Sequence, residues 1–272
     1  MIEESVVKPD PEFVQAMGES FIKKGYLEEY GIDNKQLEQL ISYGYKLVEA
    51  NKVMNLTGIT EPEDIVIKHF VDSLTLLPYL DRAYKKVPRD HAVDEDAESG
   101  SDIPRFTLAD VGTGAGFPGL PLKIMRPHIG LVLIDSLKKR VNFLSEVVQM
   151  LNLEGVRCLH IRAEEAGRQA TLRDQMDAAT ARAVAPLDVL AEYCLPLVKR
   201  GGYFWAMKGV LDEEIKEAKS AIKRLGGQLE RTDEFFLPQT DIKRTVVSVR
   251  KIKTTPEAFP RANGVPKKRP LK

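Results

Sequence analysis

Two cysteines in 272 residues leave no disulfide framework and no cysteine-based metal site, so Cys158 and Cys194 read as buried thiols and no metal is expected. No stretch approaches the roughly 18 uninterrupted apolar residues of a membrane span. The start, Met1-Ile2-Glu3-Glu4, lacks both the cationic region and the apolar core of a signal peptide, which predicts a cytosolic protein with no membrane partner. Net charge is also missing: 40 basic residues balance 40 acidic ones, so any nucleic-acid partner must be read from local charge. What is present, 43% hydrophobic and 29% charged residues, suffices for one enzyme-sized core with extensions.

Four regions follow along the chain. Residues 1–81 read as a helical lobe, with apolar spacing at Leu37, Leu40, Ile41, Tyr45 and Val48, then at Ile65, Val66, Phe70, Leu74 and Leu77. Asp33 with Asn34 offers one helix cap, and Thr60 with Glu63 a capping box. Residues 82–105 form an acidic linker or insertion, with no Lys or Arg from 90 to 102. Residues 106–252 alternate short apolar runs with helical segments, the mark of a parallel sheet covered on both faces. Strands are expected at 106–111, 131–134, 156–161, 178–181 and 203–207, with helices at 120–125, 139–151, 164–172, 187–198 and 213–225. The runs 228–237 and 245–252 have no helix between them and read as an antiparallel hairpin.

Residues 253–272 carry Lys253, Arg261, Lys267, Lys268, Arg269 and Lys272 against the single acid Glu257, and four prolines oppose a regular helix. The expectation is an extended basic arm, either a solubilising terminus or a clamp on a phosphate backbone.

The segment Asp110-Val111-Gly112-Thr113-Gly114-Ala115-Gly116-Phe117-Pro118-Gly119 leaves a buried strand and enters a helix, where glycines permit a tight turn and close backbone approach to a ligand. Read from Gly112 it is GxGxG, as in methyltransferases; read from Gly114 it is GxGxxG, the dinucleotide fingerprint. The local string leaves both open, and so does Asp135, which ends the second strand where either fold bonds a ribose hydroxyl. Two features favour the first frame. Pro118 removes an N–H that a pyrophosphate would use. Ala163-Glu164-Glu165 follows the third strand, where an acid can meet an adenine, and too little chain follows Arg182 for a separate substrate domain.

At these residues the sequence resembles the bacterial family that methylates N7 of a guanine in 16S ribosomal RNA, also called glucose-inhibited division protein B. The shared strings are Asn51-Lys52, Asn55-Leu56-Thr57, Lys68-His69, Asp72-Ser73, the glycine loop, Asp135-Ser136-Leu137 with Lys139-Arg140, Ala163-Glu164-Glu165, Arg182-Ala183 and Lys208-Gly209. The tail, Pro260-Arg261 through Gly264 to Pro270-Leu271, looks like an extended form found in some members. The resemblance implies a class I S-adenosylmethionine-dependent methyltransferase: a Rossmann-like α/β sheet with a C-terminal antiparallel hairpin and an N-terminal helical extension. It implies methyl transfer to guanine 527 of the decoding-region loop, with 16S rRNA or the assembling small subunit as partner, by a monomer in the cytoplasm. Gly112, Phe117, Ala163, Glu164 and Arg182 carry over as cofactor contacts, Asp135 as a ribose partner, and Gly114 and Gly116 complete the loop.

Guanine N7 exposes its lone pair, so transfer needs in-line alignment more than proton removal. That accounts for the absence of an Asn-Pro-Pro-aromatic motif and of a cysteine nucleophile after the fourth strand, where Arg182-Ala183-Val184-Ala185-Pro186 stands. No catalytic acid or base is identified. His69, Asp72 and Arg182 are candidates, His69, Asp72 and Ser73 sharing a helical face by their spacing. Lys138, Lys139, Arg140, Lys208, Arg261, Lys267, Lys268 and Arg269 are candidates for RNA. Tyr203 and Trp205 read as core or as base-stacking surfaces. A nicotinamide-dependent oxidoreductase and a non-catalytic RNA-binding module are the rival readings.

Overall fold

A computed structural model of the protein describes residues 10–87, 104–211 and 214–272. The acidic stretch from 90 to 102 lies outside them.

The sheet has seven strands in the order β3-β2-β1-β4-β5-β7-β6. These are β1 (Thr107–Val111), β2 (Gly130–Asp135), β3 (Val156–His160), β4 (Met176–Arg182), β5 (Val198–Lys208), β6 (Gly227–Phe236) and β7 (Lys243–Lys251). The first five run parallel, with Asp110 opposite Leu133 in β2 and Thr180 in β4. β7 then pairs antiparallel with both β5 and β6. Five parallel strands closed by a hairpin match the expected class I methyltransferase sheet and exclude a six-stranded all-parallel dinucleotide fold.

Alternation along the strands divides the interior into two layers. Leu108, Leu131, Leu133, Tyr203 and Trp205 face the helical lobe. Ala109, Val132, Ala179, Phe204 and Val247 face the opposite way. α7 (Gly119–Met125) and α8 (Lys138–Met150) cover the first face; α9 (Ala163–Ala166), α10 (Leu187–Cys194) and α11 (Glu214–Arg224) cover the second.

The lobe comprises α1 (Pro11–Lys23), α2 (Tyr26–Tyr30), α3 (Asn34–Met54), α4 (Pro62–Ile65), α5 (Asp72–Leu74) and α6 (Leu77–Lys85). Its Met17, Tyr43, Phe70 and Leu74 share one core with the sheet, so it is no independent unit. Asp33 caps α3 by a reciprocal capping box with Gln36. The Thr60–Glu63 box does not form: Pro62 occupies the first turn and Glu61 takes the cap position without a side-chain bond. Between α4 and α5 the helix widens into π-helical turns at Val66–Val71, a local irregularity common at functional sites. α6 extends beyond residue 81, the expected end of the lobe.

Two expectations fail after β3 and after β7. The helix expected over 164–172 stops at Ala166, with Gly167, a poor helix former, as its C-cap. The tail is no extended arm. Phe259 and Leu271 are buried in the second layer, and a short helix, α12 (Val265–Lys268), forms near the end.

Candidate active site

The glycine loop is held from beneath and from both sides. Gly112 and Thr113 N–H both donate to Ile134 O, at 2.8 and 3.2 Å. Gly112 adopts φ +69°, and a Cβ there would stand 2.7 Å from Val184 Cγ2. Asp110, fully buried, accepts from the Thr113 hydroxyl at 2.7 Å and from Gly119 N at 2.9 Å, bracing the start and end of the loop through one oxygen. Burial pushes its carboxyl up to about 6, against the pull of those two hydrogen bonds. Asp135 accepts from Gly114 N at 3.0 Å and Leu137 N at 2.9 Å, so it shapes the loop as well as facing the ligand space.

The lobe supplies the other side. Tyr43 of α3 donates its hydroxyl to Ala115 O and stacks on Phe117 at 5.2 Å, while His69 stacks on Phe117 at 4.4 Å. Gly116 leaves room for this approach, since a Cβ there would meet both the Tyr43 hydroxyl and Leu120. Gly116 therefore seats the lobe, and the cavity is lined by its neighbours Ala115 and Phe117. Arg182, at the end of β4, lies over the Phe117 ring at 5.1 Å and pairs with Asp72 at 3.1 Å. It also reaches His69 O and Lys68 O at 3.4 Å and Ser73 Oγ at 3.5 Å. The predicted face of His69, Asp72 and Ser73 is thus real, and its focus is Arg182. Arg244 of β7 holds the second Asp72 oxygen at 3.0 Å.

His69 is an acceptor toward Arg182 through Nδ1 at 3.4 Å, because guanidinium only donates; its Nε2 meets Thr57 Oγ1 at 2.9 Å. Burial, reinforced by the Arg182 charge, lowers its pKa to about 3. His69 is therefore neutral near pH 7 and a poor proton acceptor.

These groups surround a cavity of about 590 Å³ at the carboxyl ends of the parallel strands, where open α/β sheets take ligands. Gly112, Gly114, Phe117 and Asp135 form one side, His69 and Arg182 another, and Ala163, Glu164, Tyr193, Gly264 and Lys267 the third. Asp72 stands behind Arg182 and does not line it. The lining fits a nucleoside cofactor. Two carboxylates, Asp135 and Glu164, can accept from hydroxyl or amino groups, and at Gly114 nothing within 4 Å would oppose an approaching group.

The basic candidates separate into two groups. Arg140 and Lys267 line the cavity, and Lys138, Lys139, Lys268 and Arg269 are exposed around or beyond its rim. Lys208 and Arg261 are engaged within the protein. Lys208 is committed to Glu214 at 2.7 Å and Ala185 O at 2.9 Å. Arg261 grips the fully buried Glu192 through Nε at 2.9 Å and Nη2 at 2.5 Å. Tyr203 and Trp205 are buried and stacked on each other at 5.8 Å, which settles them as core. Tyr43, Thr57, Tyr193 and Arg244 were not singled out from sequence. Only Thr57 carried a signal, within its shared string.

The family model described as rRNA small subunit methyltransferase G matches residues 36–242, which include every one of these cavity elements except the tail. The chain belongs to this family. The "Ribosomal RNA small subunit methyltransferase G" of Alkaliphilus metalliredigens is 47% identical over 259 residues, covering 94% of this chain and all of that one. That of Lachnoclostridium phytofermentans is 46% identical, covering 90% and 94%. Among solved structures, the citrinin polyketide synthase CMeT domain superposes with TM-score 0.50 at 10% identity over 85% of this chain and 68% of that one, a likeness of fold. As a member of the rRNA small subunit methyltransferase G family, the protein is an S-adenosylmethionine-dependent rRNA methyltransferase. Among the described residues no helix is long and apolar enough to cross a membrane.

Proposed function

We propose that the protein transfers a methyl group to N7 of a guanine in 16S ribosomal RNA, guanine 527 of the decoding-region loop by its family likeness, with the cofactor held in the cavity described above. S-adenosylmethionine supplies an activated methyl on a sulfonium. Gly112 and Gly114 let the loop backbone approach the cofactor, Asp135 and Glu164 accept from its hydroxyl and amino groups, and Phe117 with Arg182 forms the wall between cofactor and lobe.

One observation carries the assignment of the target atom. Three cavity groups have displaced titration: His69 falls to about 3, burial pushes Tyr193 up to about 12, and burial lowers Arg182, whose guanidinium keeps its charge. None of the three serves as a base near pH 7. An atom that already exposes a lone pair asks for no base, only for alignment. As N7 gains positive charge, Asp135 and Glu164 favour it electrostatically.

Lys139, Arg140, Lys267 and Lys268 are the RNA contacts of this reading, through phosphates rather than base edges. A ribosomal substrate places the enzyme in the cytoplasm, acting on free 16S rRNA or an assembling subunit.

The test is transfer of tritiated methyl from the cofactor to unmethylated 16S rRNA and to small subunits, followed by nuclease digestion and identification of the labelled nucleotide. Label recovered as 7-methylguanosine at one position is the expected result. Label on another atom, or none with either substrate, refutes the proposal, and stabilisation by NADH alone would return the oxidoreductase reading.

A further inference from the structure

The chain beyond β7 is tied down at several points. Arg173 donates to Thr255 O and Phe259 O, both at 2.7 Å, and Arg168 Nε to Pro260 O at 2.9 Å. Arg261 N–H adds a bond to Glu192 at 2.8 Å, and Arg261 Nη1 reaches Arg269 O at 2.7 Å. Between these anchors the backbone turns at Gly264, φ +75°, and the Gly264 N–H donates to Glu164 Oε1 at 2.8 Å. Asn263 Nδ2 donates to Oε1 of the neighbouring Glu165. Gly264 and Lys267 line the same cavity as Gly112 and Asp135. Glu164 is buried, and among the described residues its other oxygen meets no donor.

We infer that residues 261–268 are a positioning element of the cofactor site: the Gly264 N–H fixes the Glu164 carboxylate, leaving its second oxygen for a hydroxyl or amino donor of the nucleoside. A buried carboxylate without that bond turns or takes up water, and the ligand must reorganise it on binding. The inference rests on the cofactor placement proposed above. It gives the tail a function that the rest of the fold does not need, since the other anchors already hold the chain end. It also carries a reciprocal consequence: if the docked tail favours the cofactor, the cofactor must favour the docked tail to the same degree.

Two measurements test this on the full-length protein. The first is calorimetric titration of S-adenosylhomocysteine into wild type, Gly264→Val, Gly264→Asn and Asp135→Ala. A Cβ at 264 meets no protein atom within 4 Å, so the two substitutions, both placing a short branched side chain there, differ chiefly in the backbone they accept. A β-branched residue resists positive φ whereas Asn tolerates it. Gly264→Val is expected to bind about tenfold more weakly, as for loss of a hydrogen bond to a charged group, and Gly264→Asn to stay close to wild type. Tight binding by Gly264→Val while Asp135→Ala is weakened overturns the inference and spares the cofactor placement. Unchanged binding in both overturns the placement too.

The second measurement needs no variant. Trypsin cleavage after Arg261, Lys267 and Lys268 of wild type, followed by mass spectrometry, is expected to slow several-fold on adding S-adenosylhomocysteine. Equal rates with and without it overturn the inference, even if Gly264→Val proves too unstable to titrate.

Discussion

Arg182 of the sheet and Asp72 of the helical lobe are joined at 3.1 Å, with side chains only 14% and 5% exposed. The pair fastens the lobe to the end of β4 where the cavity opens. Asp72 is shared, its second oxygen being held by Arg244. Removing one member of a buried pair leaves an uncompensated charge, and here two arginines would lose their partner at once. Asp72→Asn is expected to lower stability by about 3–5 kcal/mol. Urea unfolding followed by circular dichroism measures it; a loss under about 1 kcal/mol would show that solvent reaches the pair.

The three loop glycines should separate by where a side chain would go. All have positive φ, 69°, 61° and 105° at Gly112, Gly114 and Gly116, so alanine strains each backbone, and Gly116 most, because its φ lies outside the left-handed well. At Gly116 the added Cβ collides with Tyr43 of the lobe and Leu120 of α7 in their shared core; at Gly114 it meets nothing in the protein within 4 Å. Gly116→Ala should therefore lower the unfolding midpoint markedly. Gly114→Ala should cost about 1–2 kcal/mol of stability and weaken S-adenosylhomocysteine binding instead. The same pattern of stability and affinity in both variants would contradict this division.

That division was illegible in the sequence, which presents the glycines as equivalents. The strands, the loop after β1 and the closing hairpin were legible because their signals are local: short apolar runs, turn residues and the lack of a helix between 237 and 245. Spacing alone also found the His69, Asp72 and Ser73 face, although the turns there are wider than α-helical. The ion pairs of Lys208 and Arg261 were illegible because a charge does not reveal its partner, and Glu192 lies 69 positions from Arg261. The tail misled: prolines and lysines read as an open arm, while Phe259, Leu271 and Arg261 bury and anchor it.

Acid stability follows from two groups with opposite signs. His69 titrates near 3 in the folded protein against 6.5 as its ordinary value. Between those values the unfolded chain holds a proton that the folded one lacks, so this contribution is complete above 6.5 and is lost as pH falls toward 3. Asp110 titrates near 6 against 3.8, so between these values the folded protein holds the extra proton and stability falls as pH rises. Over their shared window the slopes oppose, each about 1.4 kcal/mol per pH unit at most. Relative to wild type, Asp110→Asn should gain stability more steeply from pH 4 to 6, and His69→Gln less steeply. Urea titrations at pH 4, 5 and 6 measure the slopes; three parallel lines would refute the assignment.

The rim lysines and Lys208 offer the last contrast, since all carry one positive charge near the cavity mouth. Lys139 and Lys268 are exposed, Lys139 making only a 3.3 Å bond to Met54 O, whereas Lys208 is bound to Glu214 and Ala185 O. A lysine that meets a phosphate releases a counterion, so its loss weakens RNA binding and reduces the slope of log affinity against log salt by about one. Lys139→Ala and Lys268→Ala should each show this with cofactor affinity unchanged. Lys208→Ala should keep the wild-type salt slope and lose stability, because the Ala185 carbonyl loses this donor and Glu214 keeps, among the described residues, only the Leu187 N–H. Filter binding of 16S rRNA at several salt concentrations decides it: a reduced slope for Lys208→Ala would mean that the ammonium leaves Glu214 for RNA.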